Sequence, residues 1–197
     1  MFSHKLDLIR ISSDLSAKMN ALPSDTKWES RRKVVKEFKK TLKKKFKKNQ
    51  NNTCAYCELP FDIDYPELDH IAPKSLYSDE TFNTQNLVNA CHRCNGFYHK
   101  GYIDTVDNSN GSYNNWDFNI VHPYFDDPQD YYEYSESDNS TFRIKVKAGL
   151  SPQMDKKAQN TLDIFALNKK GMPKKRKQEY LYKKNPIIEE ISTYKKE

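Results

Sequence analysis

The clearest pattern along the chain is a run of large apolar side chains spaced four residues apart within a lysine-rich segment. These apolar positions are Val34, Phe38, Leu42 and Phe46. A four-residue spacing places them on one face of an α-helix. Thr26 precedes them with Glu29 three residues later, which is the form of an N-terminal capping box. The pattern therefore predicts a helix that begins near Thr26 and buries one face.

Shorter patterns predict the elements that follow. Residues 67–71 favour a strand that stops before Pro73, and residues 141–147 alternate between apolar and polar side chains as a half-buried strand does. Residues 85–90 lead into a cysteine pair. Residues 95–100 predict a short helix, ended by Gly101, which would place two polar side chains four residues apart on one face.

The last third of the chain predicts two helices. Ser151 opens the first, whose apolar face comprises Met154, Ala158, Leu162, Phe165 and Ala166. The second begins near Pro173 and is kinked by Pro186. Its apolar positions are Tyr180, Leu181, Ile187, Ile188 and Ile191. A short helix is expected within residues 1–23, and residues 102–138 are expected to form an irregular, aromatic-rich excursion.

These elements predict an α+β protein with a small ββα core flanked by basic helices. We divide the 197 residues into a basic helical region (1–50), a core (51–105), an aromatic and acidic excursion with a strand (106–150) and a second basic helical region (151–197). A chain of this length suits one compact domain overall.

The distribution of charge along the chain says more about function than the overall composition does. Lysine and arginine total 33 against 27 acidic residues, giving a net charge of +6. Basic residues cluster at 27–48 and 169–184, which is typical of a surface that meets nucleic acid; a solvated helix face is the alternative. The chain has no apolar run long enough for a membrane helix, and its first residues lack the apolar centre of a secretory signal. We therefore expect a cytoplasmic protein.

All four cysteines of the chain lie in two pairs, Cys54 with Cys57 and Cys91 with Cys94. Two such pairs are the ligand set of one tetrahedral, structural zinc ion. Two disulfides are the alternative, which a reducing cytoplasm disfavours. Residues 58–90 separate the pairs, a longer stretch than small zinc ribbons have, so something must fold between them.

The stretch between and after the cysteines contains residues that zinc does not need. His70 is a candidate general base, because a neutral imidazole accepts a proton near neutral pH. Asp69 beside it, with Asn95 and His99, offers ligands for magnesium or manganese. Two of these residues have alternative roles: a helix cap for Asn95, and a surface or phosphate contact for His99.

The remaining histidines carry no catalytic prediction. His92, between two cysteines, suits a backbone or phosphate contact better than metal ligation. His4 and His122 have no candidate partners in the sequence, so both are expected to be structural.

From Cys54 to Gly101 the chain resembles the HNH, or ββα-metal, endonucleases of the zinc-braced kind. The resemblance is carried by two C-x-x-C pairs around D-H-I-x-P-x-S, an N-L-V element and a C-x-x-C-N end. It implies that His70 is the general base, that Asp69 and Asn95 hold the catalytic metal, and that Asn86 positions the His70 loop. It also implies phosphodiester hydrolysis, with His70, Asn86 and Asn95 as the catalytic set.

Two positions depart from the family pattern. Lys100 follows Asn95 by five residues where many relatives have three, and His99 stands where some relatives have a third metal ligand. The candidates for phosphate contacts are Lys74, Arg93 and Lys100.

Outside the core, the HPYFDDP segment and the A-x-x-T-L-x-x-F-A-L-N segment resemble HNH proteins of Septu-type and retron-type anti-phage systems. This resemblance implies a DNA-cutting effector of bacterial defence with an ATPase partner, and RNA stays open as a substrate. The alternative is a zinc-stabilised subunit that binds nucleic acid or docks a partner without catalysis.

Overall fold

A computed structural model describes residues 4–61, 66–97, 99–138, 141–169 and 171–184. The helices are α1 (Ser13–Asn20), α2 (Lys33–Asn49), α3 (His92–Asn95), α4 (Pro128–Tyr131), α5 (Pro152–Ile164) and α6 (Met172–Lys183). The strands are β1 (Glu67–His70), β2 (Leu87–Ala90), β3 (Val106–Asn108), β4 (Asp117–Phe118), β5 (Tyr132–Asp138) and β6 (Thr141–Val146). The predicted α+β class is confirmed. Within the described ranges, no helix has the length and apolarity needed to cross a membrane.

Helix α2 is the predicted basic helix, but its beginning differs from the prediction. It is preceded by Arg32, and Thr26 lies in the loop before it rather than at its cap. The buried face comprises Val35, Phe38, Leu42 and Phe46, so Val35 replaces the predicted Val34. The lysines occupy the remaining faces, while the apolar stripe packs against β2.

Strands β1 and β2 form an antiparallel pair in the middle of the molecule. Asp69 lies opposite Val88, and His70 lies opposite Leu87. Every residue of β2 is buried, because α2 covers this strand while the second cysteine pair follows it. The strand pair therefore holds the Asp69–His70 dipeptide in a fixed register inside the core.

The segment predicted to be irregular contains regular structure. Strands β3 and β4 pair with each other, and β5 pairs along β6 as a hairpin. The acidic and tyrosine-rich composition of β5 concealed its strand character. Residues 139 and 140, between β5 and β6, lie outside the described ranges.

The two C-terminal helices match the prediction in part. Ser151 caps α5, since its Oγ accepts a hydrogen bond from the Met154 amide at 3.3 Å. Tyr180 and Leu181 are exposed rather than buried in α6, and the helix instead buries Arg176 and Lys177. The Arg176 guanidinium donates to the carbonyls of Phe142 and Leu167 at 2.8 Å each, which fixes α6 to β6. The predicted positions Pro186, Ile187, Ile188 and Ile191 lie outside the described residues.

Candidate active site and zinc cluster

The four cysteines converge on one point. Their Sγ atoms all lie within 4.8 Å of one another, and Cys57 Sγ is 3.9 Å from Cys91 Sγ. A tetrahedral zinc with bonds of about 2.3 Å separates its sulfurs by about 3.8 Å. The backbone amide of Cys91 also donates to Cys54 Sγ at 3.4 Å, as expected of a zinc knuckle. The donor set and spacing fit a structural zinc, and none of the four cysteines forms a disulfide.

His70 is held by a backbone carbonyl and an aromatic edge. Its Nε2 lies 3.0 Å from the Thr81 carbonyl oxygen, and the Trp28 ring meets it edge-on with centroids 4.5 Å apart. Because a carbonyl only accepts hydrogen bonds, Nε2 carries the hydrogen and Nδ1 is the basic nitrogen. Burial lowers the pKa of His70 to about 4, so the ring is neutral near pH 7.

Asp69 occupies a buried position with a donor on each carboxylate oxygen. The Tyr56 hydroxyl donates to Oδ2 at 2.6 Å, and Lys100 Nζ lies 3.0 Å from Oδ1. Burial raises the pKa of Asp69, while Lys100 and Tyr56 act in the opposite direction. Since both oxygens accept hydrogen bonds, the arrangement suits the ionised carboxylate.

Lys100 and Arg93 were predicted to contact phosphate, but both side chains bind partners within the protein. Lys100 is 1% exposed and also donates to the His70 carbonyl. The Arg93 guanidinium donates to the carbonyls of Phe165 and Ala166 at 3.0 and 2.9 Å. Both cations thus hold the site together, which leaves Lys74 as the accessible candidate, 35% exposed and 3.3 Å from Glu29.

Asn86 clamps the turn that follows His70. Its Oδ1 accepts from the Ala72 amide at 2.7 Å, and its Nδ2 donates to the Ala72 and Glu80 carbonyls at 3.1 Å each. The Tyr113 hydroxyl adds a second hydrogen bond to Oδ1 at 2.9 Å. Asn86 is fully buried, so it acts on the loop rather than on a ligand.

The helix predicted after the second cysteine pair is shorter than predicted and begins within that pair. It covers His92–Asn95 and ends at Gly96, whose extended backbone stops it. Asn95 and His99 therefore do not share a helix face. Asn95 Nδ2 donates to Glu67 Oε2 at 2.7 Å, which leaves its amide oxygen as the atom suited to a metal.

A single cavity of about 340 Å³ brings most of the predicted site together. Its lining includes Asp69, His70, Asn95 and Lys74, together with Trp28, whose ring contacts the imidazole. Asn86 and His99 are not among its described lining residues. A carboxylate such as that of Asp69 and an amide oxygen such as that of Asn95 are the ligand types that a hard divalent cation takes, and His99 stays a predicted ligand without support from this cavity.

Several residues that contact the predicted site residues have no motif that identifies them in the sequence. Tyr56, Glu67, Thr81 and Tyr113 each contact a predicted site residue. Tyr56 alone had a usable signal, because it lies between the first two cysteines. A backbone acceptor such as the Thr81 carbonyl leaves no mark on the sequence.

The comparisons with known proteins agree with this geometry. The family model described as HNH endonuclease matches residues 54–101. Septu protein PtuB from Bacillus thuringiensis is 30% identical over 120 residues, which cover 60% of this chain and 37% of that protein. The CRISPR-associated endonuclease Cas9 from Corynebacterium diphtheriae is 46% identical over 46 residues, covering 23% of this chain and 4% of Cas9. The chain thus matches well under half the length of either relative.

Proposed function

We propose that the HNH endonuclease domain at residues 54–101 hydrolyses phosphodiester bonds in DNA with the help of magnesium or manganese. One observation carries the proposal: a neutral imidazole, a carboxylate and a primary amide, from His70, Asp69 and Asn95, line the same cavity. Such a set serves metal-assisted hydrolysis, which needs a base for water and oxygen ligands for the cation.

In this proposal His70 takes the proton from the attacking water on Nδ1. The Thr81 carbonyl keeps the hydrogen on Nε2 and so fixes both the tautomer and the ring orientation. Asp69 and Asn95 would hold the divalent cation, which supplies positive charge to the phosphate and to the departing oxygen when it is bound. Lys74, on the cavity wall, adds positive charge for the phosphate.

We further infer that the protein is an effector of bacterial anti-phage defence that works with an ATPase partner. The support is the 30% identity to the Septu protein PtuB together with the two segments outside the core that resemble Septu-type proteins. The exposed Leu181 and Tyr182 on α6 are the candidate docking residues.

Replacing His70 tests the catalytic assignment. We expect His70→Ala to slow cleavage of supercoiled DNA by about 10²–10⁴-fold, because it removes the base. Each protein is incubated with DNA and with RNA in magnesium, manganese or chelator. The matched control is His4→Ala, whose imidazole lies on the surface against Asp127 and should retain full activity.

The outcomes separate the two functional classes. Metal-dependent nicking by His70→Ala at the wild-type rate would contradict the proposed base. A wild-type protein that binds DNA and cleaves neither nucleic acid under any metal condition would establish the non-catalytic binding module instead.

A further inference from the structure

The loop that follows the second cysteine pair exposes large apolar side chains. Phe97 is 77% exposed, Tyr102 is 72% exposed and Ile103 is 42% exposed. Phe97 and Tyr102 also line the candidate active-site cavity. An exposed hydrophobic residue is ordinary by itself, whereas two aromatic rings on the rim of one polar cavity indicate a binding surface.

The backbone of this loop separates inward-facing from outward-facing residues. Gly101 has a φ of +46°, a left-handed conformation that favours glycine. On one side of it Lys100 turns into the core to meet Asp69, and on the other side Tyr102 remains in solvent. The same turn therefore directs Lys100 toward Asp69 and places the Tyr102 ring on the rim of the cavity.

We propose that Phe97 and Tyr102 stack on unpaired bases next to the scissile phosphate, so that the preferred substrate is single-stranded DNA. The identity of the cavity as a nuclease site rests on the proposed function above; the stacking role goes beyond it.

Base geometry favours a single strand over a duplex. In a duplex each base face is covered by its neighbours, so an exposed ring meets only sugars, phosphates and base edges unless the stack is opened. In a single strand every base offers a free face, and aromatic rings with a positive groove are the usual means of binding it.

The depth of the site points the same way. Asp69 is 4% exposed and His70 is 6% exposed, so the reacting phosphate must reach a recessed floor. A flexible single strand can bend its backbone into such a cavity while its bases remain on the rim.

The charge around the cavity is complementary to a phosphate backbone. Lys74 lies on the wall, and the Lys39 ammonium lies 4.1 Å from the centroid of the Trp28 ring that borders His70. Lys39 belongs to α2, whose exposed faces carry further lysines. Cations beside aromatic rings match the alternation of phosphates and bases along one strand.

Equilibrium binding tests the proposal without requiring cleavage. The full chain carrying His70→Ala is titrated into fluorescein-labelled 20-nucleotide probes, and anisotropy is measured at fixed salt. The probes are oligo(dT), oligo(rU) and a DNA duplex of 20 base pairs. We expect tighter binding to oligo(dT) than to the duplex.

Variants in the same background identify the contacts. Phe97→Ala and Tyr102→Ala should each weaken oligo(dT) binding about fivefold or more, with duplex binding unchanged. Tyr102→Phe keeps the ring and should bind as the parent does. The matched control is Tyr182→Ala, a 60% exposed tyrosine on α6, which should also have no effect.

Equal affinity for single strand and duplex, or no loss in either alanine variant, would overturn the proposal. Tighter ring-dependent binding of oligo(rU) would replace DNA by RNA. Self-association that is lost in the two alanine variants, measured by sedimentation, would assign the rings to a dimer contact.

Ring-dependent binding of oligo(dT) by a protein that cleaves nothing would refute the proposed function alone. Single-strand cleavage that proceeds at the parent rate when either alanine substitution is placed in the wild-type His70 background would refute this inference alone.

Discussion

Asp69 shows how one residue depends on parts of the chain that are remote in sequence. A buried carboxylate is costly unless each oxygen has a donor, and here the donors are Tyr56 and Lys100. Tyr56 lies between two zinc-cluster cysteines, and its ring stacks on Phe165 with centroids 4.0 Å apart. One hydroxyl therefore connects the zinc cluster to the candidate metal ligand.

Tyr56→Phe removes that hydroxyl and keeps the stacked ring. We expect the free energy of unfolding to fall by about 1.5–3 kcal/mol, the usual value of a hydrogen bond to a charged group. Urea unfolding followed by circular dichroism measures the change. The control is Tyr102→Phe, which removes an exposed hydroxyl and should leave stability unchanged. Equal stability of Tyr56→Phe and wild type would show that Lys100 alone suffices for Asp69.

At the scale of elements, the segment after β3 supports the turn that follows His70 through a chain of hydrogen bonds. The Tyr124 amide donates to Nδ1 of the buried His122 at 3.2 Å, so the hydrogen of the neutral ring is on Nε2. That nitrogen lies 3.3 Å from the Tyr113 hydroxyl, which donates to Asn86. The support of the turn after His70 thus depends on a neutral His122.

These hydrogen bonds through His122 predict that the stability of the protein depends on pH. Burial lowers the pKa of His122 well below its usual value of 6.5, so acid protonates the unfolded chain first. The unfolded state then binds more protons, and stability falls as pH decreases below about 6.5. The slope is at most about 1.4 kcal/mol per pH unit for this group. His70, with a pKa lowered to about 4, adds to the loss in the same direction.

Urea unfolding at pH 7.5 and 5.5, with zinc in the buffer, measures this loss. His122→Gln should lose less stability between the two pH values than wild type does, because the contribution of His70 remains. The comparison concerns the difference between pH values, so a lower stability of the variant at both does not affect it. The same loss in both proteins would contradict the role of His122.

The sequence predicted elements where the local pattern decides the structure. The apolar stripe of α2 and the Ser151 cap of α5 are of this kind. Tertiary contacts decided the failures. Residues 95–100 do not form the predicted helix, because α3 ends at Gly96 and Lys100 lies inside the core beside Asp69. In α6, Arg176 is buried because it finds carbonyl partners on distant segments, which periodicity does not reveal.

The site residues also fall into those that a local sequence pattern identifies and those that only tertiary contacts reveal. The family motif identified Asp69, His70, Asn86 and Asn95 by spacing, and their roles stay predictions. The groups that hold them could not be found in this way. The Tyr113 hydroxyl and the Thr81 carbonyl come from segments without a fixed spacing to the motif. Lys100 was found but given the wrong environment, since a lysine near a nuclease motif suggests phosphate contact rather than burial.

At the scale of the whole molecule, the cysteine cluster joins segments that are remote in sequence. It brings the loop after α2 to the end of β2, where the Gln50 side chain also bonds the backbone amide and carbonyl of Asn89 at 2.9 and 2.8 Å. Through Tyr56 and Phe165 the C-terminal region packs on the same point. The fold of the core and the geometry of the site therefore both depend on the segments that the cysteine cluster brings together.

Metal removal and selective replacement should separate the structural from the catalytic ion. Structural zinc contributes about 10–16 kcal/mol in small zinc domains, against a usual stability of about 5–15 kcal/mol, so the metal-free chain should lose its tertiary structure. After complete chelation and dialysis, zinc alone should restore the near-ultraviolet circular dichroism but not cleavage. Magnesium alone should restore neither, and both ions together should restore cleavage. Recovery of structure and activity with magnesium alone would mean that the four sulfurs do not brace the site.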